Sequence, residues 1–388
     1  RAPFGVDVVH VAPSSLAIAA ELSGRWADVE RSCDAILAMP GVIDTPARAL
    51  PVQQRRAQAR LRMGQGVREM ERECRDLLAV AEQLLGPAEI VRTRSLLVQT
   101  LQRLGRVDEA IALAEGSLRI AEEIGDEALS AEAMHRLAHT VLGVRPRDAI
   151  ELMLQLIALS RRRGDSLMEA RGFLALGVAR MRTHDDSAGA EAFRAALRIA
   201  MEAHALDIAA GASMNLGVIE MRRGDFAAAH LAFHDALRLY TTLRNNTNRL
   251  AALYNLANLE SERGDMDAAA PLYRDTAALA EQLGTDDIAI GAHAGLGLVA
   301  LRLHEDANAR SALAAATRLL NGRDGWWFQG RERLEALAIR VALQDGSRAV
   351  ALARFLAAVE RLEAMDVYSA AWFVGECGGE VAEDESEA

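Results

Sequence analysis

The sequence contains no lysine, so all 44 of its basic residues are arginine. This absence excludes chemistries that need a lysine amine, such as Walker A phosphate binding and pyridoxal-phosphate or other Schiff-base catalysis. Aromatic residues make up only 4%, which favours close-packed helices, because strands are enriched in aromatic and β-branched side chains. With 51% hydrophobic residues over 388 positions, the chain can still bury a large core.

Cysteines and long apolar runs are also scarce. Cys33, Cys74 and Cys377 lie far apart without CxxC spacing, which fits a reducing compartment and predicts no disulfide framework. No run of about 18 apolar residues occurs, so we expect no transmembrane helix and a cytoplasmic location. The net charge is −11 and the arginines are scattered, so we expect no direct contact with nucleic acid and no membrane binding.

No catalytic motif is present: the chain lacks GxSxG, HExxH and a GxGxxG that follows a strand. Two histidine pairs, His135/His139 and His230/His234, have the i,i+4 spacing that can chelate a metal on one helix face. Neither pair has an acidic or cysteine ligand within the same turn, so no metal site is predicted. The sequence therefore predicts a non-catalytic protein without a cofactor.

A repeat of about 40 residues runs through the chain. Residues 253–276 repeat the pattern of residues 213–236, and fainter copies lie at Leu16, near residue 57 and at Leu337. A small residue usually follows an anchor leucine, and a turn follows eight positions after it, at Gly105, Gly224 and Gly264. A second apolar run then carries a small residue and a bulkier one four positions later. The clearest anchors are Leu97, Leu137, Leu176, Leu216, Leu256 and Leu296.

Each repeat is predicted to form two antiparallel helices. Apolar residues recur at spacings of three and four, which is the helical period. Gly224 and Gly264 supply the left-handed residue that ends a first helix, and Asp225 and Asp265 are candidate N-caps for the second. The small residue beside the anchor, such as Gly177, lets facing helices approach closely. One hairpin cannot bury its own apolar face, so the hairpins are expected to stack.

The pattern resembles the tetratricopeptide repeat (TPR) in its Leu-Gly pair, its turn glycine and its small-x3-aromatic step. It departs from the family where Ser213, Glu220 and Glu260 replace expected aromatics, and its period is 40 rather than the usual 34. Similar long-period repeats occur in kinesin light chains, peptide-sensing bacterial regulators and sensor arms of bacterial signalling ATPases. The resemblance implies an all-α fold, a right-handed α-solenoid of about nine TPR-like helical hairpins.

Three segments follow from the repeat boundaries. Residues 1–13 match no repeat and are interpreted as a linker or the remnant of an upstream segment. Residues 14–370 form the expected solenoid. Residues 371–388 are predicted to be an acidic, disordered tail, because residues 376–388 carry six acids and no base.

The resemblance also implies a concave groove lined by the first helix of each repeat. Asn215, Asn255 and Asn258 fall on groove positions of successive repeats, and an amide can both donate to and accept from a peptide backbone. The alternative is that these amides fix packing against a neighbouring helix. The candidate ligand residues of the groove are Gln99, Arg103, His135, His139, Arg171, Arg182, Asn215, Arg222, Tyr254, Asn255 and Asn258.

An arginine ladder accompanies these amides, since Arg103, Arg182, Arg222 and Arg302 all lie six positions after an anchor. Forked hydrogen bonds from arginine would suit an acidic peptide or a C-terminal carboxylate. The alternative is a helix-terminal cation that is favoured by the helix dipole and binds no ligand.

Two aromatic clusters complete the candidate sites: Trp326 with Trp327, and Trp372 with Phe373. They are interpreted as an interface or as a seal on the end of the solenoid. The leading functional hypothesis is a peptide- or protein-binding scaffold, the sensor or adaptor arm of a bacterial signalling or regulatory protein. The alternative is a self-associating structural scaffold that assembles through these aromatics.

Overall fold

The computed structural model describes residues 26–39, 45–63, 66–320, 330–363 and 367–382. These ranges hold 18 helices and no strand, which confirms the predicted all-α fold of stacked hairpins. The predicted linker at residues 1–13 and the predicted Trp326/Trp327 cluster lie outside the described residues.

The described chain divides into two compact units. Unit 1 comprises the described residues up to Ile219 together with Arg238–Asn246, and unit 2 comprises Glu220–Leu237 and the described residues from Thr247 onward. The helices are α1 (Trp26–Leu37), α2 (Pro46–Met63), α3 (Val67–Leu84), α4 (Pro87–Arg103), α5 (Val107–Glu123), α6 (Glu127–Val141), α7 (Pro146–Arg163), α8 (Ser166–Arg182), α9 (Asp186–Glu202), α10 (Leu206–Arg222), α11 (Phe226–Thr242), α12 (Asn246–Glu262), α13 (Met266–Leu283), α14 (Asp286–Arg302), α15 (Asp306–Leu320), α16 (Arg331–Gln344), α17 (Arg348–Glu363) and α18 (Val367–Ala382).

The hairpins of unit 1 are layered. Consecutive helices from α1 to α9 pack on one another. The first helices of the hairpins, α2, α4, α6 and α8, also contact one another in order, whereas among the described residues the second helices α3, α5, α7 and α9 do not. The first helices therefore form the closely spaced inner layer of unit 1, and polar side chains on that layer are brought together repeat after repeat.

The turns follow the predicted chemistry. Gly224 and Gly264 have φ values of 77° and 82°, in the left-handed region that glycine occupies without strain. Oδ1 of Asp225 accepts a hydrogen bond from the backbone N–H of Ala228 at 3.0 Å, and Asp265 caps α13 in the same way. Both predicted N-caps are confirmed.

Histidine occupies the same left-handed position in one turn of unit 1. His184, eight residues after its anchor, has φ of 59° and an exposed side chain. A left-handed conformation costs an L-residue about 1–2 kcal/mol. We therefore expect His184→Gly to raise the free energy of unfolding by about 1 kcal/mol in urea denaturation. His184→Ala is the control: it keeps the Cβ, so an equal gain from alanine would contradict the explanation.

The small residue beside the anchor and the aromatic residue of the second helix pack against each other. A Cβ on Gly177 of α8 would lie 2.4 Å from Cε1 of Phe193 on α9, far inside van der Waals contact. Phe193 is fully buried and packs with Ala190 and Ile219. The Leu-Gly pair and the small-x3-aromatic step of the sequence therefore describe one interlock between the helices of a hairpin.

The C-terminal segment corrects the predicted tail boundary. Residues 371–382 belong to α18, and Phe373 and Cys377 on this helix are fully buried. Phe373 stacks on Phe355 with ring centroids 5.5 Å apart, so it is a core residue rather than an exposed interface. The apolar residues Ala370, Phe373 and Cys377 recur at helical spacing, and their burial outweighs the acidic composition. Residues 383–388 lie outside the described range.

Cys33, Cys74 and Cys377 are buried and form no disulfide. Burial raises the pKa of the Cys74 thiol to about 11, so this side chain stays protonated and packs as a small apolar group. Among the described helices, none is both long and apolar enough to cross a membrane.

Candidate functional site

A polar ladder crosses the inner layer of unit 1. Nε of Arg136 on α6 donates to Oγ of Ser95 on α4 at 2.8 Å. Nε2 of Gln99 on α4 donates to Oε1 of Gln58 on α2 at 3.3 Å. Each contact joins residues 41 positions apart, about one repeat, so equivalent positions of successive first helices meet. Gln99 thus contacts the first helix of the preceding hairpin, and its role in a groove stays a prediction.

A small cleft opens beside this ladder, among α4, α5 and α6. Its volume is about 130 Å³, and its polar lining comes from Gln58, Arg92, Ser95, Ser117, Glu132 and Arg136. Val91 and Leu96 are among its apolar lining residues. The cleft therefore combines an apolar floor with donors and acceptors, which is the composition of a site for a side chain.

Two histidines and an arginine continue the same face. The rings of His135 and His139 on α6 lie 4.6 Å apart in an edge-to-face arrangement. His135 and Arg171 on α8 are half-buried, and His139 is exposed. None of the three makes a hydrogen bond or ion pair with the described residues. These polar groups are therefore not used to hold the helices together.

The predicted arginines at the ends of two first helices are equally unengaged. Arg103 ends α4 and Arg182 ends α8, and both side chains are exposed. Neither makes a hydrogen bond or ion pair within the described part of the chain. Together with Arg136 and Arg171 they place four guanidinium groups on the first helices α4, α6 and α8.

The histidine pair is neutral in this setting. Desolvation lowers the pKa of His135 well below its usual value, and the neighbouring charges of His139, Arg136 and Arg171 lower it further. Desolvation and Arg136 also lower the pKa of His139. The ring of His139 is exposed to solvent. We therefore expect His135 to contribute more than His139 to the pH dependence of stability.

These shifts predict a pH-dependent stability. The folded-state pKa of His135 lies below the unfolded value of about 6.5, so the unfolded chain takes up a proton first as the pH falls. The stabilisation is complete above about pH 6.5 and is lost progressively below it. We expect the urea midpoint to fall between about pH 7 and pH 5, and to fall less in His135→Gln. His204→Gln, in an exposed turn, should behave like the wild type; an unchanged pH dependence in His135→Gln would contradict the assignment.

Asn215 uses its amide locally. Its Nδ2 donates to the backbone oxygen of Gly211 on the same helix at 2.9 Å, and the side chain is half-buried. One amide hydrogen is therefore satisfied within the helix. The carbonyl oxygen and the second hydrogen are the groups that a ligand would meet.

In unit 2 the predicted groove residues are covered. Tyr254, Asn255 and Asn258 are only 1%, 8% and 7% exposed. Oδ1 of Asn258 accepts a hydrogen bond from the hydroxyl of Tyr273 on α13 at 2.7 Å. This corrects the groove assignment for these three residues: they lie in packed surroundings, and Asn258 fixes the neighbouring helix, as the alternative interpretation held. Arg222, also in unit 2, is half-buried.

The last helix supplies part of this cover. Nε1 of Trp372 on α18 donates to Oε1 of Glu262 on α12 at 2.7 Å. Arg333 on α16 donates to the same oxygen at 2.9 Å, and its guanidinium lies 4.5 Å from the centre of the Trp372 ring. Trp372, predicted as an interface residue, is thus half-buried in a contact within the unit.

The fourth member of the arginine ladder meets a carboxylate of its own chain. Arg302 on α14 contacts both oxygens of Glu376 on α18, at 2.9 and 3.1 Å, and donates to the backbone oxygen of Ser261 at 2.9 Å. Arg340 on α16 donates to Oε1 of Glu376 at 2.8 Å. Sequence reasoning missed Arg340 and Glu376, because their pairing spans no repeat period.

The second histidine pair is engaged by a carboxylate. Nδ1 of His230 lies 2.7 Å from Oε1 of Glu260, whose other oxygen accepts from Arg263 at 3.0 Å. The ring of His234 lies 4.4 Å from that of His230. Glu260 is therefore neutralised by arginine. Across the described residues, no group of three or more His, Cys, Asp or Glu is arranged to hold a metal ion.

Comparison with known proteins places the fold. Family profiles described as tetratricopeptide repeat match residues 89–162 and 249–283. The chain is similar to the apo form of RapI, with 13% identity and a TM-score of 0.59 over 88% of this chain and 97% of that one. It is also similar to a Rap protein solved with competence and sporulation factor, with 15% identity and a TM-score of 0.54 over 97% of both chains.

A third similar structure is a signal transduction ATPase with numerous domains and a tetratricopeptide repeat sensor, from Pyrococcus horikoshii. The identity is 17% and the TM-score 0.55, over 72% of this chain, which spans 45% of the length of that protein. No curated protein sequence matches the chain significantly. The repeat matches, the hairpins and the shared fold show that the chain contains tetratricopeptide repeats and has the fold of tetratricopeptide repeat proteins.

Proposed function

We propose that the chain is a non-catalytic binding scaffold whose unit 1 holds an acidic peptide or protein segment on its inner layer. One observation carries the proposal: Arg103, His135, His139, Arg171 and Arg182 lie on the first helices α4, α6 and α8, and none of them makes a hydrogen bond or ion pair within the described part of the chain. Polar side chains that a fold does not use for its own packing are available to a ligand.

The chemistry of these groups selects the ligand. Guanidinium groups form forked, charge-assisted hydrogen bonds with carboxylates. Gln58 and Gln99, which now bond to each other, carry the donor and acceptor pair that an extended backbone requires. The neutral histidines would take up a proton beside a bound carboxylate, so affinity for an acidic segment should rise as the pH is lowered toward 6.

A role as sensor or adaptor arm of a bacterial signalling protein, acting in the cytoplasm, fits this ligand. One similar structure is a Rap protein bound to competence and sporulation factor, and another is a signalling ATPase with a tetratricopeptide repeat sensor. Recognition would be an equilibrium. A bound segment that bridges several hairpins would shift the population of the chain toward the conformations that bind it best.

Arg171 offers the direct test. Peptides are first selected from a random library on the intact chain, and the affinity of the selected peptides is measured by fluorescence anisotropy. We expect acidic peptides, and we expect Arg171→Gln to weaken their binding about ten-fold through loss of a charge-assisted hydrogen bond.

The matched control is Arg198→Gln, on the second helix α9, where the exposed Arg198 pairs with Glu202. This variant should bind like the wild type. Equal losses in both variants would point to general attraction by positive charge, and no loss in Arg171→Gln would remove the inner layer of unit 1 as the site.

A further inference from the structure

We infer that the surface of unit 2 beneath α18 is a second binding site, for a helix of a partner protein that carries an aromatic residue and a carboxylate four positions apart. In this structure α18 itself occupies the site through Trp372 and Glu376, and it also buries Phe373 and Cys377. The inference does not depend on the ligand proposed for unit 1.

The carboxylate half of the site is built from two helices. Arg302 of α14 and Arg340 of α16 converge on Glu376, at 2.9 and 2.8 Å. The Glu376 side chain is only 14% exposed, so the ion pairs are largely shielded from water. Arg302 is held in place by the backbone oxygen of Ser261. Two oriented guanidinium groups on one carboxylate make a specific anion site rather than a loose surface pair.

The aromatic half lies beside it. Arg333 is almost fully buried, with a side chain 7% exposed, and it presents its guanidinium to the ring of Trp372. Glu262 accepts both from Arg333 and from the indole N–H. An indole thus meets a cation on its face and an acceptor at its edge. Trp372 and Glu376 are one helical turn apart, so any helix with this spacing presents both groups together.

The occupant is weakly helical by itself. Gly375, Gly378 and Gly379 lie within α18, and glycine is the poorest helix former after proline. A Cβ on Gly375 would meet nothing within 4 Å, and one on Gly378 only ordinary contacts, so close packing does not require glycine at either position. The helix therefore depends on its docking contacts, which include the buried Phe373 and Cys377. A partner helix that supplies the aromatic and carboxylate groups together with apolar residues at these two positions can take its place.

The probe for this site is a fluorescein-labelled peptide with the sequence of residues 367–382, added to the full chain. We expect Gly375→Ala, which strengthens the helix in place, to weaken peptide binding about five-fold. We expect Trp372→Ala with Glu376→Gln, which weakens the resident helix, to tighten it about ten-fold. Arg302→Gln with Arg340→Gln should abolish binding, and Arg310→Gln, which breaks an ordinary pair with Asp345, should leave it unchanged.

Hydrogen exchange of the intact chain gives a second readout that needs no disruptive variant. Amides of α18 should exchange faster than those of α16, and Gly375→Ala should slow them about five-fold. Two results would overturn the inference. One is amide hydrogen exchange in α18 as slow as in α16. The other is peptide binding that is unchanged when Arg302 and Arg340 are replaced. Arg171→Gln should leave binding of this peptide unchanged, so that failure here is separate from failure at unit 1.

Discussion

Replacing Phe193 with alanine is expected to lower the free energy of unfolding of unit 1 by about 4 kcal/mol. Phe193 is fully buried, and its ring fills the space above Gly177 on the facing helix. Removing the ring costs its transfer free energy and leaves a cavity between α8 and α9 that these packed helices cannot close. The loss would appear as a lower midpoint in urea, measured by circular dichroism.

Substitution of Gly177 tests whether Gly177 and Phe193 form a single packing contact. In the wild-type chain we expect Gly177→Ala to destabilise, because a new methyl group would overlap Cε1, Cδ1 and Cζ of the Phe193 ring. In the Phe193→Ala background the same substitution should stabilise by about 1 kcal/mol, because the methyl group enters the vacated space and alanine is the better helix former. The sign of the effect should therefore reverse between the two backgrounds.

Gly116 on α5 provides the control for helix propensity. Its nearest neighbours to an added Cβ are the arginine side-chain atoms Nη1 of Arg94 and Nη2 of Arg119, at 3.5 and 3.7 Å, which are ordinary contacts. Gly116→Ala should stabilise by about 0.5–1 kcal/mol in both backgrounds. If Gly177→Ala also stabilised the wild-type chain, the interlock would not be the reason for glycine at that position.

Local signals of the sequence predicted the hairpins, because a turn is encoded where it occurs. Gly264 and Asp265 stop one helix and start the next with backbone and side-chain groups that lie within a few residues of each other. The residue types of the Gly177–Phe193 interlock were also visible in the sequence, since the two residues lie on the two helices of one hairpin and their types recur with the repeat, although the contact itself was not predicted.

Contacts without a period could not be predicted in this way. Glu376 meets Arg302 across 74 positions, and Trp372 meets Glu262 across 110, so neither pair appears as a repeat. The acidic composition predicted a disordered tail from residue 371. The structure instead has a helix as far as Ala382, which the burial of Phe373 stabilises. The groove positions of unit 1 and unit 2 look alike in sequence, but in unit 2 Asn258 bonds to Tyr273 and Glu262 bonds to Trp372 of α18, and neither contact follows from the repeat.

The buried ion pair of Arg333 and Glu262 should produce the second large effect. Arg333→Met keeps much of the side-chain volume but leaves the Glu262 carboxylate with Trp372 as its remaining donor among the contacts described above. Removing one partner of a buried pair typically costs about 3–5 kcal/mol; we expect about 3 here, because the Glu262 side chain is 23% exposed and partly solvated.

Glu262→Gln separates two contributions to the lost free energy of unfolding. One is the loss of the ion pair with Arg333, and the other is the buried negative charge that Glu262 keeps when Arg333 is replaced. Glutamine keeps an oxygen for the indole N–H of Trp372 and removes the negative charge, so Arg333→Met with Glu262→Gln should recover about 1–2 kcal/mol relative to Arg333→Met alone. The coupling is measured as a double-mutant cycle of urea-unfolding free energies. Additive losses would mean that water already solvates Glu262 in the folded state. A coupling of the expected size would mean that Arg333 holds Glu262 in position to accept from Trp372, and so fixes the acceptor on which α18 docks.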